Sequence, residues 1–172
     1  MKIDLSGWKN RAGGSARFVL TEEFAPGWLD WEGCVLHSPV TAELEVLSTG
    51  RSFLVQAQAG AELMTTCALC LAETVQSFRF SFTDEWLTAE QAAGAEAELL
   101  ETALVCAQDE VDLDDRIREF FLLHLPMRFT CRPDCRGLCP SCGADLNDGD
   151  CSCRREETDP RFAGLLKLRD GV

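Results

Sequence analysis

Residues 40–82 read VTAELEVLSTGRSFLVQAQAGAELMTTCALCLAETVQSFRFSF, and the periodicity of this stretch decides the fold. Val40, Ala42, Leu44 and Val46 alternate with polar neighbours, the period-2 pattern of a strand with one buried and one wet face. The segment STGR at 48–51 supplies a turn and SFLVQAQA returns, so residues 35–59 predict an antiparallel hairpin. After a further short strand the chain breaks at Cys67 to Cys70. A second alternating run, carried by Val75, Phe78, Phe80 and Phe82, should then pair back. The expectation is an α+β fold: a small antiparallel, curled or barrel-like sheet with one or two packed helices and a C-terminal Cys-rich zinc module.

The helix is predicted in DLDDRIREFFLLHLP, residues 112–126. Asp112 is placed to cap it and acidic residues sit at its positive N-terminal end. Leu113, Ile117, Phe120, Phe121 and His124 recur at helical spacing until Pro126 stops the run. His124, on the apolar stripe, is expected to be a buried, hydrogen-bonded core residue; His37 has no visible partner. The stretch 88–115 is rich in Ala and Glu and predicts a mobile acidic connection, helical in part. At 158–170, TDPRFAGLLKLRD predicts a short terminal helix with Asp159 as cap, Pro160 at its first position, and Phe162, Leu165 and Leu166 as its apolar face. Such a helix is too short to stand alone and must pack on something. Two parts follow, 1–126 as an acidic antiparallel-sheet domain ending in a helix and 127–172 as a Cys-rich zinc-binding tail, packed as one unit.

Hydrophobic residues make up 46% of the chain and charged residues 26%, the balance of a globular protein, and no apolar run approaches the roughly 20 residues of a membrane span. The start, MKIDLSGWKN, has no apolar core or cleavage site of a secretory signal, which points to the cytoplasm. Thiols are kept reduced there, so dense cysteines favour metal or redox chemistry over disulfides. The formal charge is -13, and all of it lies in residues 1–126, which hold 8 Lys/Arg against 21 Asp/Glu. An acidic body repels phosphate backbones, so tight direct nucleic-acid binding is not expected, whereas a basic protein partner would be attracted.

Eight of the ten cysteines form short-spaced pairs: Cys67 with Cys70, Cys131 with Cys135, Cys139 with Cys142, and Cys151 with Cys153. A C-x-x-C turn lets two thiolates face one metal, and zinc takes four such ligands in a tetrahedron. LCPSCG is a zinc-knuckle sequence in which Gly143 can take positive φ while amides point at sulfur. Its nearest partner is CSC at 151–153, so Cys139, Cys142, Cys151 and Cys153 are expected to form one site. Cys67, Cys70, Cys131 and Cys135 would form a second that staples sheet to tail across sixty residues. The longer closure costs roughly 2 kcal/mol more than a short loop, against on the order of 10 kcal/mol from structural zinc. Other partitions of the six tail cysteines, with Cys67 and Cys70 reduced or redox-active, are also compatible with the spacing. All-thiolate ligation leaves no open position, which argues for one or two structural zinc ions rather than a catalytic one. No phosphate-cradling loop, nucleophile elbow or H-E-x-x-H is present, and Asp112, Asp114 and Asp115 are explained by the helix start. The chain is therefore read as noncatalytic, with no small-molecule substrate.

Four blocks in order carry a resemblance: CALCL at 67–71, VDLDDRIREFFLLHLPM at 111–127, C-x3-CRGLCPSCGADLN followed by CSC at 131–153, and DPRFAGLLKL at 159–168. Together they resemble the YceD family of bacterial and plastid proteins, over about residues 35–169. The resemblance implies a role in accumulation or processing of 23S ribosomal RNA, and so in ribosome biogenesis, without catalytic residues to carry over. Combined with the acidic charge, it implies a basic ribosomal protein or assembly factor as partner, with any rRNA contact indirect. Arg132, Arg136, Arg154, Arg155 and Arg161 are candidates for a binding surface on the tail. The alternative is a redox-switch chaperone or stress sensor, in which oxidation of the thiolates ejects zinc.

Overall fold

The computed structural model describes residues 1–8, 12–29, 31–106 and 110–153. Its centre is the predicted antiparallel sheet. Strand β4 (Val40–Ser48) pairs with β5 (Phe53–Thr66), and β5 pairs back with β6 (Glu73–Thr88). The buried face sets small residues of β5 against rings of β6, with Ala57 opposite Phe82, Ala59 opposite Phe80 and Ala61 opposite Phe78. Val75 is out of phase with those rings by an odd number of residues, so it stands on the other face and is 49% exposed.

Strand β2 (Ser15–Glu22) flanks β4. Strand β3 (Cys34–Leu36) continues the β4 row along β5, beyond an interruption at Pro39 where Ser38 Oγ accepts from the Glu62 amide at 2.9 Å. Strand β7 (Leu104–Cys106) runs parallel to the end of β6, while β1 (Lys2–Asp4) and β8 (Glu110–Asp112) form a separate two-stranded ribbon. The sheet order is β2-β4-β5-β6-β7. No ladder joins β2 to β7 among the described residues.

Helices α1 (Ala89–Ala92) and α2 (Ala97–Thr102) fall within the acidic stretch expected to be a mobile connection. Its described residues are instead built in. Thr88 and Gln91 form a capping box at α1, and β7 and β8 lie within the same stretch. Helix α3 (Asp114–His124) forms within the predicted stretch, but its N-cap is Leu113, without a side-chain cap, rather than Asp112; Asp112 Oδ1 accepts from the Asp114 amide at 3.1 Å, and Pro126 follows the helix end. It lays Phe121 edge-on to Phe80, ring centroids 4.9 Å apart, and stacks Phe120 on Phe82 at 4.1 Å. His124 differs from expectation. It is exposed at the last turn, its Nδ1 2.8 Å from the Phe120 carbonyl and its ring stacked on Phe80. Among the described residues Phe53, Trp86 and Phe121 are the largest fully buried side chains, and Met1, Ile3, Leu5 and Leu29 complete the core from the N-terminal segment. The predicted terminal helix around Asp159, Pro160, Phe162, Leu165 and Leu166 lies outside the described residues.

Candidate metal centres

The β5–β6 connection is a tight knuckle. The Cys67 amide donates to the Ala72 carbonyl at 2.9 Å and the Leu71 amide donates to the Cys67 carbonyl at 2.9 Å. This places Cys67 and Cys70 side by side and forces Leu71 to φ 62°. The segment CPSCGA at 139–144 repeats the construction: the Cys139 amide donates to the Ala144 carbonyl at 2.8 Å, the Gly143 amide to the Cys139 carbonyl at 2.9 Å, and Gly143 has φ 74°. CALCLA and CPSCGA are therefore the same backbone device, one with glycine at the left-handed position and one with leucine. The sequence carried this signal in the C-x-x-C-x-A match, although it shows no longer repeat.

The chain returning from α3 docks on the first knuckle. The Ala68 amide donates to the Phe129 carbonyl at 2.8 Å, and Gln76 Nε2 donates to the Thr130 carbonyl at 2.8 Å. Cys131 and Cys135 are thereby carried to Cys70 and Cys67, with sulfur separations of 3.7 and 3.8 Å. A disulfide needs about 2.05 Å. The edge of a zinc–thiolate tetrahedron with bonds of about 2.3 Å is about 3.8 Å. Both sets, Cys67/Cys70/Cys131/Cys135 and Cys139/Cys142/Cys151/Cys153, hold their four sulfurs within 4.8 Å of one another. They are geometrically able to hold a metal ion each. All ten cysteines are free; Cys34 and Cys106 lie in the core, outside both sets.

The electrostatics agree with that geometry. The Cys67 thiol is drawn down to about 6, first by the Cys70 amide and then by the Cys131 amide. Cys139 is drawn down to about 6 by the amides of Cys142 and Ser141. In the same sets Cys131 and Cys153 are pushed up to about 12, chiefly by the neighbouring Cys135 and Cys142 sulfurs. Four crowded thiols thus cannot all ionise unaided, and a divalent cation among them removes the conflict.

The two knuckles touch. The Leu138 amide donates to the Leu69 carbonyl at 3.0 Å, an approach open only to glycine at position 137, where a Cβ would lie 2.9 Å from that oxygen. Asn147, from the loop of the second set, donates to Cys135 Sγ of the first at 3.4 Å, and its Oδ1 accepts from the Arg136 amide at 2.9 Å. Sequence reasoning missed Asn147 because nothing local marks it as a neighbour of the other set.

The family model described as large ribosomal RNA subunit accumulation protein YceD matches residues 55–169, a span that takes in both cysteine sets. The chain belongs to the YceD family. Uncharacterised proteins of Mycobacterium tuberculosis and Mycobacterium bovis are 32% identical to it over 126 residues, 73% of this chain and 60% of theirs. The chain thus spans about 60% of the length of these mycobacterial relatives. The large ribosomal RNA subunit accumulation protein YCED homolog 1, chloroplastic, of Arabidopsis thaliana is 38% identical over 61 residues, 36% of this chain and 19% of the plant protein. No solved structure matches. The YceD family's name implies a part in accumulation of the large ribosomal RNA.

Of the tail arginines, Arg132 lies 3.6 Å from Asp134 and Arg136 pairs with Asp150, so both are engaged by carboxylates of their own module. Arg154, Arg155 and Arg161 lie outside the described residues. No helix among the described residues is long and apolar enough to cross a membrane.

Proposed function

We propose that this YceD chain is a noncatalytic ribosome-biogenesis factor of the cytoplasm that supports accumulation of 23S rRNA by binding a basic ribosomal protein or assembly factor. The family match over residues 55–169 carries this reading. The charge supports the choice of partner: the body is acidic, and Arg132 and Arg136 are already paired within the module. Each four-cysteine set holds one structural zinc. The sulfur separations fit a zinc tetrahedron, and four thiolates leave no open position for substrate or water. The first zinc staples the β5–β6 knuckle to the tail; the second closes the tail on itself. The redox-switch alternative rests on no feature beyond these same thiolates.

The experiment is depletion of the chain in its own cells with quantification of 23S against 16S rRNA, followed by rescue. Wild type should restore the ratio, and Cys67→Ser/Cys70→Ser should not. An unchanged ratio on depletion would remove the proposal.

A further inference from the structure

The outer face of the sheet carries a row of aliphatic side chains in strict register. Val35 of β3 lies opposite Met64 of β5, and Met64 lies opposite Val75 of β6. They are 40%, 37% and 49% exposed, on a face where a two-sided strand normally presents polar residues. The row opens into a groove whose walls include Phe24, Trp28, Trp31, Leu36 and Met64, with Trp31 38% exposed. Acids surround it. Glu62 precedes Met64 by two residues and Glu73 precedes Val75 by two, so both project from the same face, and Glu32 lines the groove; all three are exposed. Further along the face stand Glu43 and Glu45. Against these acids the face sets Arg79, opposite Gly60, and Arg17, already held by Glu43 at 2.7 Å.

We infer that this row and groove are the docking surface for the basic partner, which presents a Lys/Arg-rich polypeptide segment carrying aliphatic side chains. The inference rests on the proposed function for the existence of that partner and adds where it binds. Aliphatic side chains cover Val35, Met64 and Val75, cations meet Glu32, Glu62 and Glu73, and Trp31 offers a ring face to a guanidinium or ammonium. Nucleic acid is disfavoured because its phosphates would face the same carboxylates. A second copy of the chain would set acid against acid.

The test incorporates the photo-crosslinker p-benzoylphenylalanine at Met64 or at Val75 of the full chain in its own cells, with Leu123, 69% exposed on α3, as control position. Metal content and melting temperature first establish that each variant is folded. Adducts at Met64 and Val75 to a protein whose crosslinked peptide is rich in Lys/Arg, at least tenfold above the Leu123 control, are expected. Adding Glu62→Lys/Glu73→Lys should lower them at least tenfold. Adducts to RNA, to this chain's own residues or a second copy, or to a segment without excess Lys/Arg, or none above control, would overturn the inference. The same Glu62→Lys/Glu73→Lys chain is scored for the 23S to 16S ratio. Normal rRNA with this variant, where depletion lowers 23S, rejects the surface and leaves the proposed function standing. An unaffected ratio on depletion rejects the function instead, and the crosslinks then decide the surface alone.

Discussion

At the scale of single residues, Leu71 bears a backbone cost that its counterpart Gly143 does not. Left-handed φ costs a non-glycine residue roughly 1–2 kcal/mol, and the Leu71 side chain is 63% exposed, so it recovers little by burial. Leu71→Gly should therefore stabilise the zinc-loaded chain by about 1 kcal/mol in denaturant unfolding, and Gly143→Leu should destabilise it by a similar amount. Asn147 acts through Cys135. Loss of a group that orients a metal ligand typically costs 10–100-fold in affinity. Asn147→Ala should thus weaken the first site roughly tenfold in chelator competition and leave the second within about twofold. Cys106 gives a pH prediction. Burial, and secondarily Asp84, pushes its thiol from 9.0 up to about 11. The folded chain then holds a proton that the unfolded chain has released, so stability falls as pH rises from about 9 to 11 and is unaffected by this group below 9. Melting curves across that window should be flatter for Cys106→Ala than for wild type.

At the scale of elements, α3 is tied to β6 by an ion pair that no local pattern announces. Arg116 Nη2 lies 2.7 Å from Asp84 Oδ1 and Nε 2.9 Å from Oδ2, while Trp86 Nε1 donates to the same carboxylate at 2.8 Å. Arg116 also donates to the Thr102 carbonyl at 3.2 Å, which fixes the end of α2. The side chains are 3% and 21% exposed for Asp84 and Arg116. Breaking a fully buried pair costs about 3–5 kcal/mol; with Arg116 partly in water, about 2 kcal/mol is expected for Asp84→Asn. Thermal unfolding with zinc present measures this. The period-2 pattern made β4, β5 and β6 legible, and the 3.6-residue stripe made α3 legible. In the stretch 88–115 only the partial helicity was legible, because its Ala/Glu composition has no amphipathic pattern that would place β7 and β8. Its order comes from partners: Thr88 with Gln91 locally, then β6 against β7 and β1 against β8.

At the scale of the whole molecule, metal ions in the two cysteine sets would decide how the tail is attached. The described part of the tail meets the sheet through Ala68–Phe129, Gln76–Thr130 and Leu69–Leu138 hydrogen bonds and the first set of sulfurs. Elemental analysis of reduced, purified chain should give two zinc ions, falling to one in Cys67→Ser/Cys70→Ser and to one in Cys151→Ser/Cys153→Ser. In the first variant, limited proteolysis should cut within residues 127–135 at least tenfold faster than in wild type, while the far-UV signature of the sheet persists. A single zinc in wild type that survives the Cys67→Ser/Cys70→Ser change would sink the staple.

The sequence by itself determined the strands of residues 40–82, the helix that covers them, the acidic body and the knuckle character of CALC and CPSC. Each is written in spacings of a few residues, where backbone period and turn geometry leave few alternatives. Tertiary structure alone decided that the described strands follow the order β2-β4-β5-β6-β7, that Leu71 shares the left-handed turn of Gly143, that Arg116 meets Asp84, and that sulfurs 61 and 68 residues apart come to 3.7 and 3.8 Å. Loop entropy grows too slowly with length to choose among distant partners. The choice falls to the packing that brings Phe129 and Thr130 onto the end of the hairpin, and that packing exists only once the chain has folded.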